Sequence, residues 1–112
     1  MNSALQTIRT RKFAEQKGLC HYCMQAMWSG DPKTFCAQHG ISRRKAKLFQ
    51  CTAEHLLANQ NGGVVSATNI VAACRYCNAT RHRAKRPLEP EAYKRKVANR
   101  LEAGRWNRLK QR

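Results

Sequence analysis

Acidic residues are scarce in this sequence, which has six aspartates and glutamates against 22 lysines and arginines among 112 residues. The resulting formal net charge of +16 repels itself and weakens a compact state, so a polyanionic partner is the natural inference. A surface that served solubility alone would carry charges of both signs. The composition therefore favours a nucleic acid as the partner.

Long apolar segments are also missing. No stretch is long and apolar enough to span a bilayer, and residues 1–18 lack the apolar core and cleavage site of a signal peptide. We therefore expect a cytoplasmic protein with no membrane association. Internal repeats and low-complexity segments are absent too, and the length suits one domain, 1–112, with a modest core.

Cysteine is the exception, because six are present and four of them form two close pairs, CHYC and CRYC. Disulfides are disfavoured in the cytoplasm, so this spacing indicates metal binding. Two such pairs are a strong signal for one tetrahedral structural zinc site, whose ligands would be Cys20, Cys23, Cys74 and Cys77. A thioredoxin-like redox role fits poorly, since no βαβ pattern surrounds either pair.

Two cysteines remain outside these pairs. Cys36 and His39 have a spacing that could supply half of a second metal site together with Cys51. The favoured alternative is that the two free cysteines are small buried hydrophobic residues.

Local signals divide the first half of the chain into helices. Residues 3–17 are expected to form a helix with Ser3 as its N-cap and Gly18 as its stop. The insertion at 24–50 predicts two short helices separated by Gly40.

The second half predicts two strands followed by two helices, at 51–55, 70–74, about 75–85 and about 90–104. A turn-rich loop with Asn61, Gly62 and Gly63 at its tip joins the strands. Tyr93, Val97 and Leu101 share one face of the last helix, as core or docking residues do. The predicted fold class is α+β, a small and mostly helical domain built on a ββα unit.

Polar side chains cluster around this unit. Glu54 and His55 end the first strand, and Asn69 immediately precedes the second. Asn78 follows the second cysteine pair, and His82 lies on the same helix face at i+4. An isolated Glu-His pair is usually a pair of exposed residues without a function. Because two asparagines follow it in this order, a functional site is the better interpretation.

This arrangement resembles the HNH endonucleases, whose ββα-metal motif has the same order and similar gaps. The matching residues are Glu54-His55, then Asn69, then Asn78, and CRYCN resembles the family's cysteine-framed entry to the helix. The match covers roughly residues 20–86, leaving the first and last helices and the 24–50 insertion outside it. The chain departs from the pattern in having glutamate where aspartate is common, and asparagine as the third motif letter.

The resemblance implies hydrolysis of phosphodiester bonds in DNA, with RNA still open as a substrate, and the residue types support hydrolysis. His55 would be the general base that activates water. Glu54 and Asn78 would hold one Mg²⁺ or Mn²⁺ that stabilises the leaving oxygen, since a single carboxylate argues against a two-metal site. Asn69 would anchor the loop that positions His55. His82 could either bind the cation or contact a substrate phosphate.

Basic residues flank the motif and are the expected nucleic-acid contacts: Arg81, His82, Arg83, Lys85 and Arg86 on the helix side, and Arg43 and Arg44 in the insertion. The alternative is an exposed run of charge. Trp28 and Trp106 could stack on bases, although burial in the small core is favoured.

Two other classes of protein compete with a nuclease. A non-catalytic, zinc-stapled nucleic-acid-binding protein would explain the charge and the cysteines, but would leave Glu54, His55 and Asn78 without a role. A small redox protein would explain neither the charge nor the asparagines. If the protein is a nuclease, one site cuts one strand, so double-strand cleavage would need a homodimer or two visits.

Overall fold

The computed structural model describes residues 3–58 and 64–109. Its elements, in chain order, are α1 (Ala4–Glu15), α2 (Lys33–His39), α3 (Arg43–Lys47), β1 (Cys51–His55), β2 (Ile70–Cys74), α4 (Arg75–Arg83) and α5 (Pro90–Glu102). The predicted α+β class is confirmed. None of the helices within the described ranges has the length and apolar character needed to cross a bilayer.

Helix α1 begins where its sequence predicts. The Ser3 hydroxyl accepts a hydrogen bond from the Gln6 amide at 3.0 Å, and the Gln6 side chain accepts one from the Ser3 amide at 3.3 Å. This reciprocal capping box satisfies two backbone donors that the first turn leaves free. The chain leaves the helix through Lys17 and Gly18, which both have positive φ angles, 56° and 74°.

Gln16 ties the end of α1 to the sheet. Its side-chain carbonyl accepts from the Ala72 amide at 2.9 Å, and its amide nitrogen donates to the Ala72 carbonyl at 2.8 Å. One glutamine side chain therefore pairs with β2 as a neighbouring strand would. The first cysteine pair follows directly, and the His21 backbone amide donates to the same carbonyl at 3.0 Å.

The insertion forms a small second core. Gly40 separates α2 from α3 in a left-handed conformation with φ 60°. Phe35, Ala46 and Phe49 are buried together, and Trp28 packs against them while its indole nitrogen donates to the Ala46 carbonyl at 2.7 Å. This placement agrees with the favoured burial of Trp28.

The sheet has two antiparallel strands whose register runs from Cys51 opposite Cys74 to His55 opposite Ile70. Both strands have the bounds that the sequence predicts. A two-stranded sheet is marginal alone, and here α1 and α4 contact both strands.

Helix α5 covers the side of the core that holds the cysteine pairs. Tyr93 and Val97 are buried and Leu101 packs beside them, which confirms their predicted core role. The Tyr93 hydroxyl donates to the Cys77 carbonyl at 2.6 Å. Trp106 packs against the same core and donates from its indole nitrogen to the Cys77 sulfur at 3.4 Å, so its favoured burial also agrees with the structure.

Candidate active site and metal centre

The two cysteine pairs meet as predicted. The sulfur atoms of Cys20, Cys23, Cys74 and Cys77 are buried and all lie within 4.8 Å of one another. A tetrahedral site with metal–sulfur bonds of about 2.3 Å has sulfurs about 3.8 Å apart, and the sulfurs of Cys23 and Cys74 are 3.9 Å apart. The cluster can therefore bind a structural metal such as zinc.

The four thiols are coupled through their hydrogen bonds. The pKa of Cys20 is lowered, chiefly because the thiols of Cys23, Cys74 and Cys77 hydrogen-bond to its sulfur. The pKa values of Cys74 and Cys77 are raised, chiefly by their hydrogen bonds to Cys20.

The possible second metal site is not assembled. Cys36 packs with the second core and Cys51 with the first, while the His39 ring lies 4.4 Å from the Phe35 ring, centroid to centroid. Within the described part of the chain, the four-cysteine cluster is the one group of three or more histidine, cysteine, aspartate or glutamate side chains close enough to share a metal. The free cysteines therefore serve as packing residues.

The polar residues of the ββα unit line one open cavity. Glu54, His55, Asn78 and His82 surround a space of about 160 Å³ together with two alanines. β1 supplies the first two side chains and one face of α4 supplies the other two. Residues separated by up to 28 positions therefore share a site, as their order in the sequence predicts.

Glu54 lies at the centre of a buried hydrogen-bond network and is 0% exposed. Its Oε2 atom accepts from the Tyr22 hydroxyl at 2.8 Å and from an Arg81 nitrogen at 3.0 Å. Its Oε1 atom lies 2.6 Å from the His82 Nε2 atom. A buried carboxylate is tolerated only with such partners, and both oxygens are held in place.

Tyr22 is a neutral donor in this network. Its pKa is raised, first by burial and then by the charge of Glu54, so the hydroxyl keeps its proton at physiological pH. Tyr22 lies between Cys20 and Cys23, and the cysteine cluster therefore also places a hydrogen bond on Glu54.

Arg81 corrects one sequence prediction. We expected it to contact phosphate, but its side chain is 5% exposed and its nitrogens donate to Glu54 and to the carbonyls of His55, Leu56 and Leu88. These internal bonds occupy the guanidinium group. Its position at i+4 from the buried Cys77 is the sequence signal that would have placed it on the inner face of α4.

Asn69 joins the two ends of the loop between the strands. Its Oδ1 atom accepts from the Leu57 amide at 2.8 Å, and its amide nitrogen donates to the carbonyls of Leu57 and Val64 at 3.1 and 2.8 Å. The chain leaving β1 just after His55 is therefore held by a side chain at the start of β2. The predicted turn at Asn61, Gly62 and Gly63 lies outside the described residues.

Asn78 is oriented by the backbone of β1. Its amide nitrogen donates to the Thr52 hydroxyl at 3.0 Å and to the Ala53 carbonyl at 3.2 Å. Because a carbonyl can only accept, this contact assigns the nitrogen and leaves Oδ1 as the remaining acceptor. Thr52 was not singled out by the sequence, and nothing in the local pattern marks it.

His55 has an incomplete set of hydrogen bonds. Its Nε2 atom is buried and has no hydrogen-bond partner among the described residues. Buried polar atoms are nearly always paired, so a ring nitrogen beside this cavity is suited to a water molecule or a substrate atom.

The remaining predicted nucleic-acid contacts lie at the surface. Arg83, Lys85 and Arg86 are exposed at and after the end of α4, and Arg43 and Arg44 are exposed at the start of α3. The His82 side chain is 30% exposed, so it contacts both Glu54 and solvent.

Comparisons of the chain with protein-family models, with curated proteins and with solved structures each found no match.

Proposed function

We propose that this protein is a metal-dependent DNA endonuclease of the HNH type, which hydrolyses phosphodiester bonds. The observation that carries the proposal is the single cavity lined by Glu54, His55, Asn78 and His82. These side chains supply a general base, a carboxylate oxygen and an amide oxygen at one place on a strongly basic chain. A surface that only bound nucleic acid would have no use for this combination.

His55 is the proposed general base. A neutral imidazole nitrogen can take a proton from the attacking water, and such general-base catalysis typically contributes about 10²- to 10⁴-fold to the rate. The hydrogen bonds of Asn69 to the chain after His55 support a positioning role for Asn69.

Glu54 and Asn78 are the proposed ligands of one Mg²⁺ or Mn²⁺, through Oε1 and Oδ1. Carboxylate and amide oxygens suit these hard cations, and Glu54 Oε2 is already occupied by Tyr22 and Arg81. When bound, the cation would neutralise charge on the phosphate and on the leaving oxygen. His82 would be a third ligand or a phosphate contact, and as a ligand it would exchange its hydrogen bond to Glu54 for the cation.

The cysteine cluster is proposed to hold a structural Zn²⁺. It is closed, with four protein ligands and no open position for chemistry, as structural zinc sites are. Its role would be to join the first cysteine pair to β2 and α4, and so to support folding.

The test is cleavage of supercoiled plasmid with and without Mg²⁺ or Mn²⁺. The parent protein should convert it to nicked circles only when a divalent cation is added, and His55→Ala should lower the rate by about 10²- to 10⁴-fold. Zinc content, circular dichroism and DNA affinity of this variant should stay close to those of the parent. His39→Ala is the matched control, because His39 packs on Phe35 outside the cavity, and it should cut at the parent rate.

Two results would contradict the proposal. A well-folded His55→Ala protein that cuts at the parent rate would remove His55 from the mechanism. A parent protein that binds DNA but cuts it with neither cation would favour the alternative of a non-catalytic, zinc-stapled nucleic-acid-binding protein.

A further inference from the structure

A second cavity, of about 330 Å³, lies between the first half of α1, the segment 50–53 and the start of α4. Two arginines line it, Arg9 from α1 and Arg75 from α4, and no acidic side chain does. Ala53 lines both this groove and the candidate active-site cavity. One residue of β1 therefore borders both spaces.

Arg9 has an unpaired side-chain nitrogen in the described part of the chain. Its Nε atom is buried and has no hydrogen bond within residues 3–58 and 64–109, and neither Arg9 nor Arg75 forms an ion pair there. A buried donor left unpaired is unfavourable. The groove is therefore lined by a guanidinium group with an unpaired donor, which a ligand from outside the chain would satisfy.

The residues that line the groove carry two positive charges and no carboxylate. Guanidinium groups match the geometry of phosphate oxygens, which makes a phosphate the ligand best suited to this pair.

We propose that Arg9 and Arg75 bind a backbone phosphate of the nucleic acid that flanks the phosphate being cut. This rests on the proposed function, and it gives the substrate strand a direction, from the candidate active site past Ala53 into the groove. Interactions with a non-reacting phosphate stabilise ground state and transition state alike, so removing them raises KM and leaves kcat unchanged.

The experiment compares Arg9→Gln and Arg75→Gln with the parent protein. DNA affinity is measured over a range of salt concentrations without added divalent cation, and cleavage is measured separately with Mg²⁺. Because the two arginines together neutralise one phosphate, replacing both should reduce the slope of log affinity against log salt by about 0.9, and each single substitution should reduce it by a part of that. Each should also raise KM without changing kcat.

Arg11→Gln is the matched control, because Arg11 is exposed on the same helix and does not line the groove. It should keep the parent's KM and salt slope. Circular dichroism and zinc content establish folding, and Arg75 is exposed, so Arg75→Gln carries the test if Arg9→Gln does not fold.

The outcomes separate this proposal from the proposed function. If the parent cuts DNA and both variants match it in KM and salt slope, the groove proposal is wrong and the nuclease stands. If the parent does not cut but the slopes fall as expected, the nuclease is wrong, and what stands is the binding of a backbone phosphate by Arg9 and Arg75. Titration with inorganic phosphate tests whether the groove binds a free anion instead. If phosphate binds at Arg9 while Arg9→Gln leaves DNA binding unchanged, the proposal is wrong.

Discussion

At the scale of single residues, Glu54 is the buried acid of a chain that is otherwise strongly basic. Its two oxygens contact Tyr22, Arg81 and His82. Arg81 also donates to three backbone carbonyls around the end of β1 and before α5. Arg81 therefore compensates the buried charge and joins three segments of backbone, which is a positioning role relative to the proposed cation site.

Replacing Arg81 with methionine should lower the free energy of unfolding by about 3–5 kcal/mol, because it leaves the buried Glu54 carboxylate without its cationic partner. The control is Arg83→Met, two residues along the same helix and exposed, which should change it by no more than about 0.5 kcal/mol. Urea unfolding followed by circular dichroism measures both. Equal effects of the two substitutions would mean that the Arg81 network does not stabilise the fold.

At the scale of elements, helix α4 links the cysteine cluster to the candidate active site. Cys74 caps its first turn and Cys77 lies within that turn. Asn78 and His82 follow on the face that lines the cavity, whereas Arg81 lies on the buried face. A metal that holds Cys74 and Cys77 would therefore also set the position of the two polar residues on α4.

Purified protein should contain about one tightly bound zinc per chain, since one four-ligand site is present. Cys77→Ser should lose that zinc and its cooperative thermal transition, because so small a core depends on the metal. Cys36→Ser makes the same chemical change in a half-buried residue outside the cluster and should keep both. Metal analysis and thermal melting measure the two properties, and a metal-free parent that melts cooperatively would contradict a structural role for zinc.

At the scale of the whole molecule, the net charge of +16 dominates any encounter with a polyanion. The exposed basic residues after the candidate active site, Arg83, Lys85 and Arg86, are the proposed outer contacts to phosphates. Contacts of this kind hold the backbone and carry no sequence information themselves.

Changing these three residues to alanine should weaken binding to two unrelated DNA duplexes equally, and should reduce the salt slope by about 0.9 for each phosphate that is no longer neutralised. The control replaces three exposed residues of α5, Arg95, Lys96 and Arg100, with alanine. It removes the same charge and should weaken DNA binding less. Fluorescence anisotropy at several salt concentrations gives both quantities. Affinity that does not change with salt would show that the basic surface is not the binding surface.

Local signals in the sequence were sufficient to place the elements. The Ser3 cap, the positive φ angles at Gly18 and Gly40, and the start of α5 at Pro90 all act through the backbone of a few neighbouring residues. The cysteine spacing predicted the cysteine cluster, since two close pairs of thiols in a small chain favour one shared metal site.

Only the tertiary structure decided which charged groups face inward. It buried Arg81, brought Tyr22 to Glu54 across 32 residues, placed Cys36 and Cys51 in different cores, and opened a groove between Arg9 and Arg75. The spacing of Arg81 from Cys77 favours the inner face of α4, but the local pattern does not determine which partners a side chain meets there. The choice depends on how α1, α4 and the sheet pack together, and that packing rests on contacts between residues far apart in the chain.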